Sequence, residues 1–335
     1  MNVTSLMTED KTKRKETYFI VPIMFIYTFL MYGKIDNNTG TLIIALMSIL
    51  TYFLAIYLFY GIAYMAYYKH TYLLWGSGVA AFIVGYLMTG LSDVWTLLMS
   101  WSMILFAGAI LGRLTLTGKN HQKIYIAGLL TVTIFSLGLF SPIWHDLLIA
   151  ATQKSTEMIN EVKQSLQAMG YSADAIREST DSTLKMFNAL IRLIPALMIL
   201  SVVVQFSLGF IIFTYRINKN NYQSRPLAPF IYWKIPFGVT PLLILAILLR
   251  IFGSDTYVLI ADNVIAFLAF FYAIAGLALI EFYLEKFNFS KFMKVLFYVM
   301  LFFTQLIGLF VAALIGFIDS FANWRKSQPL NLAKE

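Results

Sequence analysis

The sequence predicts an all-α fold: a polytopic membrane helix bundle of about nine transmembrane helices with a short extramembrane helical segment. Two observations predict it. Hydrophobic residues make up 59% of the 335 residues and charged residues 13%, whereas a soluble domain carries about 25% charged side chains. The apolar residues also fall into nine runs, and crossing a hydrocarbon core about 30 Å thick takes roughly 20 residues of helix. Helix is required because lipid offers no hydrogen-bond partner to an open strand edge.

Residues 1–16 are polar and read as a disordered cytoplasmic N-terminus. The first run, Val21 to Tyr32, ends in Gly33 and Lys34 without a small-x-small cleavage pattern, so it reads as a retained span and not a signal peptide. Leu42 to Tyr68, Leu73 to Met88, Val94 to Leu111 and Ile124 to Ile143 complete a five-span bundle over 17–145. Asp146 to Thr183 is extramembrane. Within it Met158, Ile159, Val162, Leu166 and Met169 fall at helical spacing, Gly170 is a stop, and Ser172 can cap a second helix with Asp174 in its first turn. Two short amphipathic helices are expected on the outer membrane surface, as a connector or as a lid. Leu184 to Phe213, Pro241 to Phe252, Tyr257 to Ile280 and Val295 to Ile318 form a second bundle of four spans over 184–318, before a tail over 319–335. The first and seventh runs reach spanning length only with their flanks.

Between the sixth and seventh runs the chain reads RPLAPFIYWKIP, Arg225 to Pro236. Pro226, Pro229 and Pro236 forbid a regular helix, and Phe230, Tyr232 and Trp233 suit the headgroup zone. This is an interfacial elbow. Gly108 and Gly112 form a GxxxG, and Gly76, Gly78 and Gly85 line the preceding run; such small residues let helix backbones touch in lipid, and internal packing is the expected use.

The net charge of +8 comes from Lys and Arg in short loops, not from a basic face. Nucleic acid is therefore not a partner. With a cytoplasmic N-terminus, 15 of the 25 cations fall inside, as the positive-inside rule asks. An odd number of spans then strands Arg325 and Lys326 outside, against that rule. Cysteine is absent, which removes disulfides and thiolate chemistry. No P-loop, HExxH or GxSxG motif is present; Gly112 to Asn120 has the wrong glycine spacing and Asn after Lys119. His70, His121 and His145 sit in separate loops, so neither a cofactor nor a metal is expected, and an enzyme acting on lipid ranks a distant third among the function classes.

Polar residues at membrane depth carry what remains, because each is costly there. Asn188 and Arg192 share a helical face in the sixth run by their spacing of four. Arg250 ends the seventh run, and Asp262 and Asn263 lie one to two turns into the eighth. Asp93, Trp95, Trp144 and His145 sit at the ends of runs three to five. On this topology they share the extracytoplasmic half, either as a polar cavity or as arginines that reach outward while Asp262 pairs with one of them.

Four segments carry a resemblance: SMILFAGAILGR (Ser102 to Arg113), RPLAPFIYWKIP, Asn263 followed by FYAIAGLAL (Phe271 to Leu279), and IGFIDSFANWRK (Ile315 to Lys326). In this order the chain resembles the YybS-like family of bacterial multi-pass membrane proteins, which implies a helix bundle in the bacterial cytoplasmic membrane and names no reaction. The N-terminal part is distantly similar to the S-components of energy-coupling-factor transporters, which implies solute binding, although Phe19 to Gly33 lacks the alanines of their coupling contact. Two function classes follow. One is a small-solute binding or transport module with an outward polar cavity; the other is a scaffold that binds another membrane protein.

Overall fold

The computed structural model describes residues 18–31, 41–89, 94–117, 121–219, 229–322 and 324–325. All nine apolar runs are helical in it, and no strand occurs among the described residues. In chain order the helices are α1 (Tyr18–Met31), α2 (Thr41–Tyr67), α3 (Thr71–Thr89), α4 (Val94–Leu116), α5 (His121–Phe140), α6 (Trp144–Ala168), α7 (Ala173–Lys219), α8 (Thr240–Phe252), α9 (Asp255–Lys286), α10 (Lys291–Phe303) and α11 (Gln305–Ala322). Six of them, α2 to α5, α7 and α9, are long and apolar enough to cross a bilayer.

The remaining runs leave fewer long spans than the nine expected. α1 and α8 are shorter apolar helices. The ninth run is not one helix: α10 and α11 are bent by 112°. The extramembrane segment differs too. Its first helix is 25 residues long, and its second is the start of α7, which continues into the sixth run as one 47-residue helix. The turn between them forms as its residues dictate, with Gly170 at φ +80 and Ala175 N donating to the Ser172 side chain at 3.4 Å. The helix continues through residue 183 because nothing there breaks it, while burial of Ile176 and Thr180 holds its first turns in place.

Packing divides the chain into two compact units, Met1–His145 with Met198–Leu227, and Asp146–Leu197 with Ala228–Glu335. The first unit is built around α4. A Cβ on Gly108 would stand 2.6 Å from Ile62, and one on Gly112 would overlap the Ala63 carbonyl, so α4 and α2 touch through their backbones. Phe206, from the second half of α7, is fully buried and meets Phe59 edge to face at 5.6 Å. Tyr125 stacks on Phe206 and shares a 2.8 Å hydrogen bond with Ser207, which ties α5 to the same helix.

In the second unit α9 is the spine. A Cβ on Gly276 would overlap the Ala312 carbonyl and one on Gly316 the Tyr272 carbonyl, so α11 lies directly on α9. The Tyr272 hydroxyl, buried, shares a hydrogen bond with Thr240 on α8 at 3.1 Å, and Thr240 shares another with Ser320 on α11 at 3.3 Å. The described part of the elbow, 229–236, has no α-helix, as its prolines require. Phe230–Tyr232 and Phe237–Val239 form short 3-10 turns, Pro229 and Pro236 precede them, and Trp233 packs its ring on Phe230 at 5.6 Å. Pro226 and the N-terminal 1–16 lie outside the described residues.

Candidate functional site

Proline at position 195 sets the geometry here. Lacking an N–H, it leaves an α7 carbonyl without its usual donor and pushes its ring against the preceding turn. The carbonyl so affected is that of Ile191, four residues back; the next pair along the helix, Ala196 N and Arg192 O, is bridged by Asn263 of α9. Asn263 Oδ1 accepts from Ala196 N at 2.8 Å, and Nδ2 donates to Arg192 O at 2.9 Å and to Leu259 O of its own helix at 2.8 Å. The amide thereby has both donors and its carbonyl engaged.

This bridge brings Arg192 beside Asp262. The Asp262 carboxylate lies 2.6 Å from Arg250 Nε through Oδ1 and 4.0 Å from Arg192 Nε through Oδ2. Its side chain is 15% exposed, against 45% for Arg192 and 52% for Arg250. One carboxylate thus serves two guanidiniums, and the triad keeps a surplus positive charge. Among the described residues neither arginine uses its Nη nitrogens in a hydrogen bond, which leaves them as donors for an anion.

The structure therefore groups Arg192, Arg250, Asp262 and Asn263, all in the second unit. Asn188 is exposed one turn before Arg192. Trp144, half-buried, opens α6 within the first unit, where Trp95 Nε1 donates to Gly138 O at 3.0 Å. Asp93 lies outside the described residues. No three metal-ligating side chains gather among the described residues.

Two further polar clusters escaped the sequence reading. Glu281 accepts from Lys294 Nζ and from the Tyr298 hydroxyl, both at 2.6 Å, and Glu285 stands 3.5 Å from Lys294. Asp319 and Arg325 form a buried pair at 2.8 Å, with side chains 1% and 8% exposed. Both were signalled by carboxylates flanked by apolar residues, but their partners lie 13 and 6 positions away, beyond a single helical turn. A family profile for predicted membrane proteins, DUF2232, matches residues 72–320, about three quarters of the chain. The chain belongs to the DUF2232 family. The matched region contains both units' helices from α3 onward, the Arg192 triad and Asp319. No curated protein and no solved structure matches this DUF2232 member.

Proposed function

We propose that this DUF2232 protein is a small-solute binding or transport module of the bacterial cytoplasmic membrane, and that its solute is an anion held by Arg192 and Arg250. The observation that carries the reading is the sharing of Asp262: the carboxylate stands 2.6 Å from Arg250 Nε and 4.0 Å from Arg192 Nε and offsets one of their two charges. Charge-assisted hydrogen bonds to a carboxylate or phosphate are stronger where water is scarce. Arg192 lies on the same continuous helix as the segment from Ala173 to Thr183, which suits a cover for an extracytoplasmic site. The loop cations favour a cytoplasmic N-terminus, which puts the triad on the outer side. The distant resemblance of the N-terminal part to transporter S-components favours solute binding in general; the YybS-like resemblance names no reaction.

A second reading, a scaffold for a membrane-protein partner, is favoured by one observation: the Asn263 amide is spent on α7, as a purely architectural residue would be. Native mass spectrometry of the purified protein separates the two. Arg192→Ala with Arg250→Ala should strip a copurifying anion, and Arg192→Glu should do so more completely. Half-exposed ion pairs add little stability, so folded protein should stay within about twofold. Retention of everything that copurifies in the double variant selects the scaffold.

A further inference from the structure

We infer that α10 and α11 form a re-entrant hairpin, which enters and leaves the membrane on the side of the elbow and is closed there by Arg325. Length gives the first argument. α10 has 13 residues and rises about 20 Å, short of a hydrocarbon core about 30 Å thick. It then breaks at Thr304, and α11 turns back through 112°. A break at that depth must satisfy its own backbone. Part of it is satisfied locally: Thr304 N donates to Met300 O at 3.1 Å, Ile307 N to Thr304 O at 3.1 Å, and the Thr304 hydroxyl to Leu301 O at 2.7 Å.

The two ends of the pair give the second argument. At the start of α10, Lys294 is held by Glu281 and Glu285 in the last two turns of α9. Past the end of α11, Trp324 shares an apolar cleft with Tyr283 and Phe287, and Arg325 Nη2 reaches Ala275 O at 3.4 Å. Both ends therefore lie beside the same end of α9, as they would not if the pair crossed. Arg325 Nη1 also donates to Ile231 O of the elbow at 2.6 Å, and Nη2 pairs with Asp319. Trp324 N donates to the other Asp319 oxygen at 3.1 Å. The three sequence segments RPLAPFIYWKIP, FYAIAGLAL and IGFIDSFANWRK thus meet at one arginine, as a lock on the hairpin.

Charge gives the third. A crossing pair would leave Arg325 opposite Lys286, Lys291 and Lys294; a hairpin gathers all four on one side, which removes the conflict with the positive-inside rule at Arg325. The exposed Phe292, Val295, Met300, Phe302 and Phe303 of α10 then face acyl chains. The chain has no cysteine, so the test is direct. Lys291→Cys and Ser327→Cys, each in the full chain in intact cells, are exposed to an impermeant maleimide before and after permeabilisation. The expected result is the same labelling pattern at both positions. Labelling of one from outside and of the other only after permeabilisation overturns the hairpin.

Discussion

Asn263 bridges the turn of α7 that Pro195 distorts: its amide joins the Ala196 N–H to the Arg192 carbonyl, the very pair that an unbroken helix would bond directly. Loss of this bridge leaves polar backbone in an apolar setting, at a cost of about 1–3 kcal/mol. Asn263→Ala should lower the unfolding temperature in detergent, and Pro195→Ala in the same chain should recover much of it by letting α7 close its own turn. An Asn263→Ala protein as stable as the parent would show that the bridge is dispensable.

Asp262 divides one negative charge between two arginines, so its removal separates the anion site from a structural triad. Asp262→Asn should tighten binding of inorganic phosphate measured by titration calorimetry, because the surplus positive charge doubles. If neither parent nor variant binds phosphate or a simple carboxylate, the anion reading fails.

The buried Asp319–Arg325 pair predicts asymmetry between single and double changes. Breaking a buried pair by removing one partner costs about 3–5 kcal/mol, whereas replacing both by apolar groups is often close to neutral. Arg325→Ala should therefore reduce folded yield more than Asp319→Ala combined with Arg325→Met, as read by size-exclusion recovery. Equal losses would argue that Arg325 acts mainly through Ile231 and Ala275.

Glycines on neighbouring helices should respond oppositely. Gly112→Ala drives a methyl into the α2 backbone at Ala63, and overpacking of this kind costs about 1–3 kcal/mol. Gly76→Ala meets nothing within 4 Å and gains helix propensity of about 1 kcal/mol. Thermal unfolding of the two variants should rank Gly76→Ala above Gly112→Ala; the reverse order would displace α4 from α2.

Orientation is open to the same cysteine chemistry used for the hairpin. Ser155→Cys and Ser179→Cys should label from outside intact cells, while Ser224→Cys should not. The opposite pattern would move the Arg192 triad to the cytoplasmic half and remove the outer-site proposal.

By itself the sequence determined the all-helical class, since apolar runs in lipid have no other way to pair their backbone, and it located the Gly170 turn and the proline elbow from local chemistry alone. It also singled out Arg192, Arg250, Asp262 and Asn263 as costly residues at depth. What it did not determine is who satisfies whom. Local pattern sees one turn of helix, so the continuation of α7 across the change from polar to apolar residues at 183 and the break at Thr304 inside one apolar run were both hidden. Asn263 meets α7 backbone 67 and 71 positions earlier in the chain, and Arg325 reaches Ile231 and Ala275 in two other segments. Tertiary structure alone decided those pairings, because a buried polar group takes whichever partner the packed helices bring within about 3 Å, whatever its distance along the chain.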